Sequence, residues 1–250
     1  ARSRAQAMVR TSFSYTLRSG KIVKRQMEAC NARTLDVAPD LDVNGAELRT
    51  KQTKVVNFCD EASVLDVYYQ ECRDIILHKY PAAIKVVVLD HNIRHQTLAG
   101  LPIDGQDSSA VPNDVATYNP PVLHTHNDWS DVSAPQRLRE LANGIEEASP
   151  FSEADFLTTG ELEELLRTCD YKFVNIWRNV GREPVQDRHL AFIDARTLDE
   201  SSVVRSDELY GDGVGAVCFF EPSEKHSWLY WDRMTPSEVM LLKCYDSRRR

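Results

Sequence analysis

Between residues 171 and 245 the chain alternates short, apolar, β-prone segments with turn formers. The segments are Tyr171 to Trp177, Leu190 to Asp194, Val214 to Phe220, Ser227 to Trp231 and Val239 to Tyr245. Gly181, Gly211-Asp212-Gly213, Pro222-Ser223 and Pro236 separate them. Strands this short cannot bury their apolar faces alone, so they close on one another as a barrel or sandwich.

The preceding chain adds a hairpin and helices. Ser12 to Leu17 alternates, Ser19-Gly20 turns, and Lys21 to Val23 returns, so residues 11–30 are predicted to pair as strands. Residues 36–52 read as loop, and Val55 to Phe58 as a short strand. Asp60 is a candidate N-cap for a helix over 61–79, with Val64, Val67, Tyr68, Ile75 and Ile76 near a helical period. Ile84 to Leu89 reads as a buried strand, residues 99–121 as a long loop, and Val122 to His126 as a strand. Ser133-Ala134-Pro135 opens a helix carrying Leu138, Leu141 and Ile145 on one face. A further helix is expected from Gly160 to Cys169, with Leu162, Leu165 and Leu166 inward. The expectation is mainly β with peripheral helices, as one domain over 1–250 in which 1–50 is an N-terminal extension packing on the rest.

Charge and cysteine usage narrow the function classes. The net charge is −8 and the pI about 5.4, and an acidic surface repels a phosphate backbone. Nucleic acid is therefore not an expected partner, and the basic runs near Arg2 to Arg10 and Arg248 to Arg250 read as solvated tails. No stretch reaches the ~20 apolar residues of a membrane helix. The six cysteines are scattered without a C-x-x-C pair, which argues against a disulfide scaffold or thiolate zinc site and points to a cytoplasmic protein. A small-molecule substrate is the expected partner, and a homodimer is left open.

The chemistry concentrates in His124-Thr125-His126-Asn127-Asp128-Trp129-Ser130. On a strand, residues i and i+2 share a face, so His126 and Asp128 can point at one place. An imidazole beside a carboxylate supplies two ligands of a facial triad, which leaves the opposite side of a non-haem iron open. His226, just before the β-prone Ser227 to Trp231 segment, is the best distal ligand. H-x-D alone also arises wherever a strand histidine precedes a surface aspartate. His124 allows a second set, His124, His126 and His226, as in cupin-type sites. His78 sits at an expected helix end, where a cation complements the dipole. His91, His95 and His189 read as packing or surface residues.

Eight blocks in order extend this pattern over residues 55–247. They are Tyr68-Tyr69, Leu89 to Arg94, His126 to Ser130, Ser133 to Leu138, Asn175 to Arg178, Leu190 to Arg196, His226 to Tyr230, and Met234-Thr235-Pro236 leading into Leu242 to Ser247. The chain thereby resembles the natural-product tailoring enzymes grouped with gibberellin desaturase, the fungal AsaB-type hydroxylase/desaturases and the cephamycin protein CmcJ. The resemblance implies a double-stranded β-helix (jelly roll, cupin-like). It implies Fe(II), 2-oxoglutarate and O2 as cofactor and co-substrates, and His126, Asp128 and His226 as ligands. Substrates in such a family are small metabolites, which are hydroxylated, desaturated or closed into a ring.

2-Oxoglutarate brings a far carboxylate that needs a cation, because a buried unpaired charge costs several kcal/mol. Arg178 is the first candidate, since guanidinium grips carboxylates bidentately. Lys243, with Tyr245 expected on the same face, is the second, and Arg137 the third. Ile93, Arg94, Trp129 and His124 are candidates for substrate contact, with Trp177 and Trp228 as further wall residues. Arg94 suits an acidic substrate.

Overall fold

The structure, a computed structural model, describes residues 7–95, 97, 98, 100, 118–142, 158–205 and 217–248. Most of the expected loop (101–117), Ile145, the Gly211-Asp212-Gly213 turn, residues 214–216 and Arg249-Arg250 lie outside the described residues. Two compact units emerge. The first comprises Ala1–Gln52, Leu123–Arg139 and Leu162–Arg250, and the second Thr53–Val122 and Glu140–Glu161.

Strands dominate the first unit. β1 (Met8–Thr16) and β2 (Ile22–Asn31) form the expected hairpin. At its turn the Gly20 N–H donates to the Leu17 carbonyl at 2.8 Å, with Gly20 at φ 77°. β2 then runs parallel to β9 (Trp228–Tyr230), which pairs antiparallel with β6 (Ala191–Ile193). Under the hairpin, Trp228 stacks on Phe13 at 4.0 Å and donates to the Tyr15 hydroxyl at 3.1 Å. Trp228 is therefore a packing residue rather than a substrate wall.

A second sheet orders β3 (Ala46–Thr50), β10 (Glu238–Asp246) and β5 (Lys172–Arg178). Residues 36–52 are thus not all loop. The Asp40 side chain accepts the N–H groups of Asp42 and Val43 to start α1 (Leu41–Asn44), and left-handed Gly45 ends it before β3. One face of this sheet carries Ala46, Leu48, Met240, Leu242 and Trp177, which pack with Phe192, Leu229, Trp231 and Met234 as the main core. Trp177 is therefore a core residue too.

The third sheet orders β4 (His126–Asn127), β8 (Cys218–Phe220) and β7 (Val203–Arg205). β7 had no separate sequence signal. The strand expected from Val122 shrinks to β4 and a bridge between His124 and Ser14. Helix α4 (Ser133–Ala142) follows, braced where Ser130 and Ser133 each accept the other's backbone N–H. All six cysteines are free.

In the second unit the helix over 61–79 is present, but as three pieces: α2 (Glu61–Ser63), a π turn (Val64–Tyr68) and α3 (Tyr69–Lys79). The strands expected at 55–58 and 84–89 do not form. No ladder partner meets either segment among the described residues, and Val56 and Ile84 are largely exposed. Helix α5 (Thr159–Thr168) opens on a reciprocal cap in which Thr158 and Glu161 exchange backbone and side-chain hydrogen bonds. No described helix is long and apolar enough to cross a membrane.

Candidate metal centre

β4 places His126, and three hydrogen bonds fix the turn after it. His126 Nδ1 lies 2.7 Å from the His124 carbonyl oxygen. A carbonyl only accepts, so Nδ1 carries a proton, and in the neutral ring Nε2 holds the lone pair. Asn127 Nδ2 donates to the Trp129 carbonyl at 2.7 Å and to the Cys244 carbonyl at 2.8 Å, tying the turn to β10.

His126 Nε2 then faces Asp128 Oδ1 at 3.3 Å. Both atoms are acceptors while the imidazole is neutral, and at that distance they repel unless a proton or a cation lies between them. Two ligands ~2.1 Å from one ion and at right angles are about 3 Å apart, so this gap fits adjacent positions on one metal ion. The other carboxylate oxygen, Oδ2, accepts from Asn175 Nδ2 at 2.5 Å. Burial, with the Asp128 charge adding to it, pushes the Cys244 thiol up to about 12, so it is a neutral neighbour.

His226 is buried beyond the end of β8. Its Nε2 lies 3.2 Å from Ser202 Oγ, and that hydroxyl donates to the Asp199 carbonyl at 2.6 Å. Ser202 has spent its proton, so Nε2 carries the imidazole proton and Nδ1 holds the lone pair. Nδ1 is buried without a hydrogen-bond partner. An orphaned buried acceptor is costly, and metal ligation is one way to satisfy it. Burial lowers the His226 pKa and the Asp199 charge partly opposes this, so the neutral, ligating form is favoured. The register runs His126, Phe219, Val204 across the third sheet, and the Glu221 N–H donates to the Ser202 carbonyl. Ser202 closes a 3-10 turn (Glu200–Ser202) directly before β7 and is buried.

Among the described residues no three His, Cys, Asp or Glu side chains gather closely enough to hold a metal. Of the three expected ligands, His126 and Asp128 are brought together as a pair that could hold an ion, and His226 is not gathered with them. His124 supplies its carbonyl to the pair's orientation.

The second sheet sorts the remaining candidates. Asn175 pairs with Leu242 and Arg178 with Val239, so Asn175 and Arg178 leave opposite faces of β5. The buried Arg178 guanidinium donates to the Pro236 carbonyl at 2.6 Å and the Lys51 carbonyl at 2.7 Å. Lys243 shares its face and contacts Asp42 at 3.3 Å and Asp246 at 3.2 Å. Neither cation is brought to Asp128. A bulge at Cys244 puts Tyr245 opposite Phe173, on the Asn175 face, contrary to the expectation that Tyr245 and Lys243 point together. Tyr245 stacks on Tyr171 at 5.5 Å, and Phe173 packs on Trp129 at 4.4 Å. Arg137 lies on α4, half-buried.

Ile93 and Arg94 belong to the second unit, where Arg94 Nη1 donates to the Pro120 carbonyl at 2.8 Å and the Ile93 carbonyl accepts the Asn119 N–H. Sequence reading missed Asn175 and Ser202 as supports. Asn175 lay inside a matching block, whereas Ser202 had no signal because β7 was not recognised.

Comparisons with known proteins agree with this architecture. Hydroxylase/desaturase efuI of Hormonema carpetanum is 28% identical over 225 residues, covering 83% of this chain and 67% of its own. Hydroxylase/desaturase asaB of Aspergillus flavus is 31% identical over 138 residues, 47% of this chain and 57% of its own. The alpha-ketoglutarate-dependent dioxygenase phiK of a fungal species is 24% identical over 208 residues, 82% and 65% respectively. The chain thus spans about two thirds or less of these relatives' length. A solved structure of the iron and alpha-ketoglutarate-dependent endoperoxidase NvfI superposes with a TM-score of 0.67 at 15% identity, covering 97% of this chain and 86% of that one. The jelly-roll fold follows from that likeness. A family profile matches residues 5–250, and the chain belongs to the family it describes, the oxidoreductase/YMDC permease-like domain.

Proposed function

We propose that the chain is a non-haem Fe(II), 2-oxoglutarate-dependent oxygenase that oxidises a small metabolite in natural-product biosynthesis. The observation that carries this is the His126 Nε2 and Asp128 Oδ1 pair, two acceptors 3.3 Å apart whose other atoms are already hydrogen-bonded. The hydroxylase/desaturase relatives and the fold of the endoperoxidase support the same reading. His126 and Asp128 would hold the iron, with His226 as third ligand. Bound Fe(II) with 2-oxoglutarate and O2 supplies an oxidant strong enough to take hydrogen from an unactivated C–H bond.

The chain's own residues orient the parts. The His124 carbonyl selects the His126 tautomer, and Ser202 selects that of His226. Trp129, packed on Phe173, and Tyr245, packed on Tyr171, are candidate walls for co-substrate and substrate. Arg178, Lys243 and Arg137 remain the proposed cations for the far carboxylate of 2-oxoglutarate. Arg178 and Lys243 would have to leave their present partners to serve. A single catalytic domain in the cytoplasm belongs to the same proposal. For Arg94, a raised KM in Arg94→Ala supports substrate contact, and an unchanged KM removes it.

The test is anaerobic addition of Fe(II) and 2-oxoglutarate to the purified protein, followed by visible absorption. A weak metal-to-ligand band that disappears in Asp128→Ala and His226→Ala supports the reading. Iron bound without 2-oxoglutarate, and retained in Asp128→Ala, points instead to the three-histidine set. No metal binding leaves a jelly-roll small-molecule-binding protein.

A further inference from the structure

We infer that Asn175 is a positioning residue that holds Asp128 as a one-oxygen ligand, an inference that rests on the metal reading above. A carboxylate beside a divalent ion can bind through one oxygen or both. Here the two oxygens are already distinguished. Oδ2 accepts a hydrogen bond from Asn175 Nδ2 at 2.5 Å, while Oδ1 faces His126 Nε2 at 3.3 Å. Hydrogen bonds to a charged acceptor are stronger than neutral ones, so this contact biases the carboxylate's rotation.

The position of the amide is itself fixed. Asn175 sits in β5 opposite Leu242 of β10, one step from the bulge at Cys244. The Cys244 carbonyl also accepts Asn127 Nδ2. One stretch of the second sheet therefore grips the metal-binding turn twice, through the Cys244 carbonyl on the Asn127 side chain and through the Asn175 amide on the Asp128 carboxylate. Asn175 is solvent-facing rather than packed, so stability does not explain an amide there. An aspartate at 175 would set two carboxylates against each other, and an apolar residue would remove the hydrogen bond that holds Oδ2.

The test uses Co(II), which reports coordination number through its visible bands without oxygen chemistry. Apoprotein is titrated anaerobically with Co(II) by calorimetry and absorption, comparing wild type, Asn175→Ala, the near-isosteric Asn175→Leu, and Ile176→Val on the opposite face as control. Both Asn175 variants are expected to lose about 10–100-fold in Co(II) affinity, as loss of a hydrogen bond to a metal ligand does, and to alter band intensity at unchanged circular dichroism. Ile176→Val is expected to match wild type. Wild-type affinity and bands in a folded Asn175 variant overturn this inference while leaving the metal site standing. If wild type itself binds no divalent metal, both the inference and the proposed function fall.

Discussion

Asn175 and Arg178 lie three residues apart on β5 and point to opposite faces, one to the Asp128 carboxylate and the other to the carbonyls of Pro236 and Lys51. That geometry separates a ligand support from a structural clamp. Arg178→Ala removes the guanidinium's hydrogen bonds to the Pro236 and Lys51 carbonyls, and charge-assisted bonds of this kind make the expected loss about 3 kcal/mol. Urea denaturation measures it. 2-Oxoglutarate affinity of the folded variant is expected to stay at the wild-type level. A variant of normal stability that no longer binds 2-oxoglutarate would make Arg178 the co-substrate cation after all.

The bulge at Cys244 yields a prediction about acid. It leaves Lys243 and Asp246 on the face away from Tyr245, where Lys172 joins them against Asp42. Burial raises the Asp246 pKa, but hydrogen bonds from Lys172 and Lys243 outweigh it, and the net position is below 3.8. A carboxylate depressed on folding stabilises the protein above its unfolded value. That contribution is lost as pH falls from about 3.8 through the lower folded value. Lys243→Met removes one of the two lysines, so its acid unfolding midpoint is expected at higher pH, read by tryptophan fluorescence. An unshifted midpoint shows that Lys172 alone holds Asp246.

The repeating parts of the fold were legible in the sequence, and the irregular parts were not. Alternation and a glycine turn marked β1 and β2, and short β-prone segments between turn formers marked β5, β6, β8, β9 and β10. β3 and β7 are short and were hidden in polar surroundings, and their existence depends on distant partners, β10 and β8. The apolar run from Ile84 to Leu89 has strand composition but no described ladder, and composition alone does not supply one. At the site, the H-x-D spacing exposed His126 and Asp128. Neither the faces of Arg178 and Lys243 nor the bulge that turns Tyr245 could be read, since one extra residue reverses every later side chain.

Gly45 joins α1 to β3 at φ 82°, and a Cβ there would meet the Ala195 Cβ at 3.3 Å. Its carbonyl also accepts the Lys243 N–H at 2.8 Å. Gly45→Ala is expected to cost about 1–2 kcal/mol from the left-handed backbone, with some addition from the contact. A lowered melting temperature with unchanged Co(II) affinity is the outcome to look for. A melting temperature equal to wild type would show that the turn relaxes without strain.

Ser202 makes the last prediction, because it acts on His226 without any charge. Its hydroxyl donates to the Asp199 carbonyl and so can only accept from His226 Nε2. The metal-free protein should therefore hold His226 as the Nε2–H tautomer, which nitrogen-15 correlation spectra of the imidazole distinguish directly. In Ser202→Ala the acceptor is gone, Nε2 loses its partner, and the share of the Nε2–H tautomer is expected to fall. Metal affinity is then expected to fall by about 10-fold, the low end for a lost ligand support. The far-UV spectrum should not change, since Ser202 precedes β7 and its backbone bonds to Asp199 and Glu221 remain. Finding His226 as the Nδ1–H tautomer in the wild-type apoprotein would remove both the orphaned lone pair and the role given to Ser202.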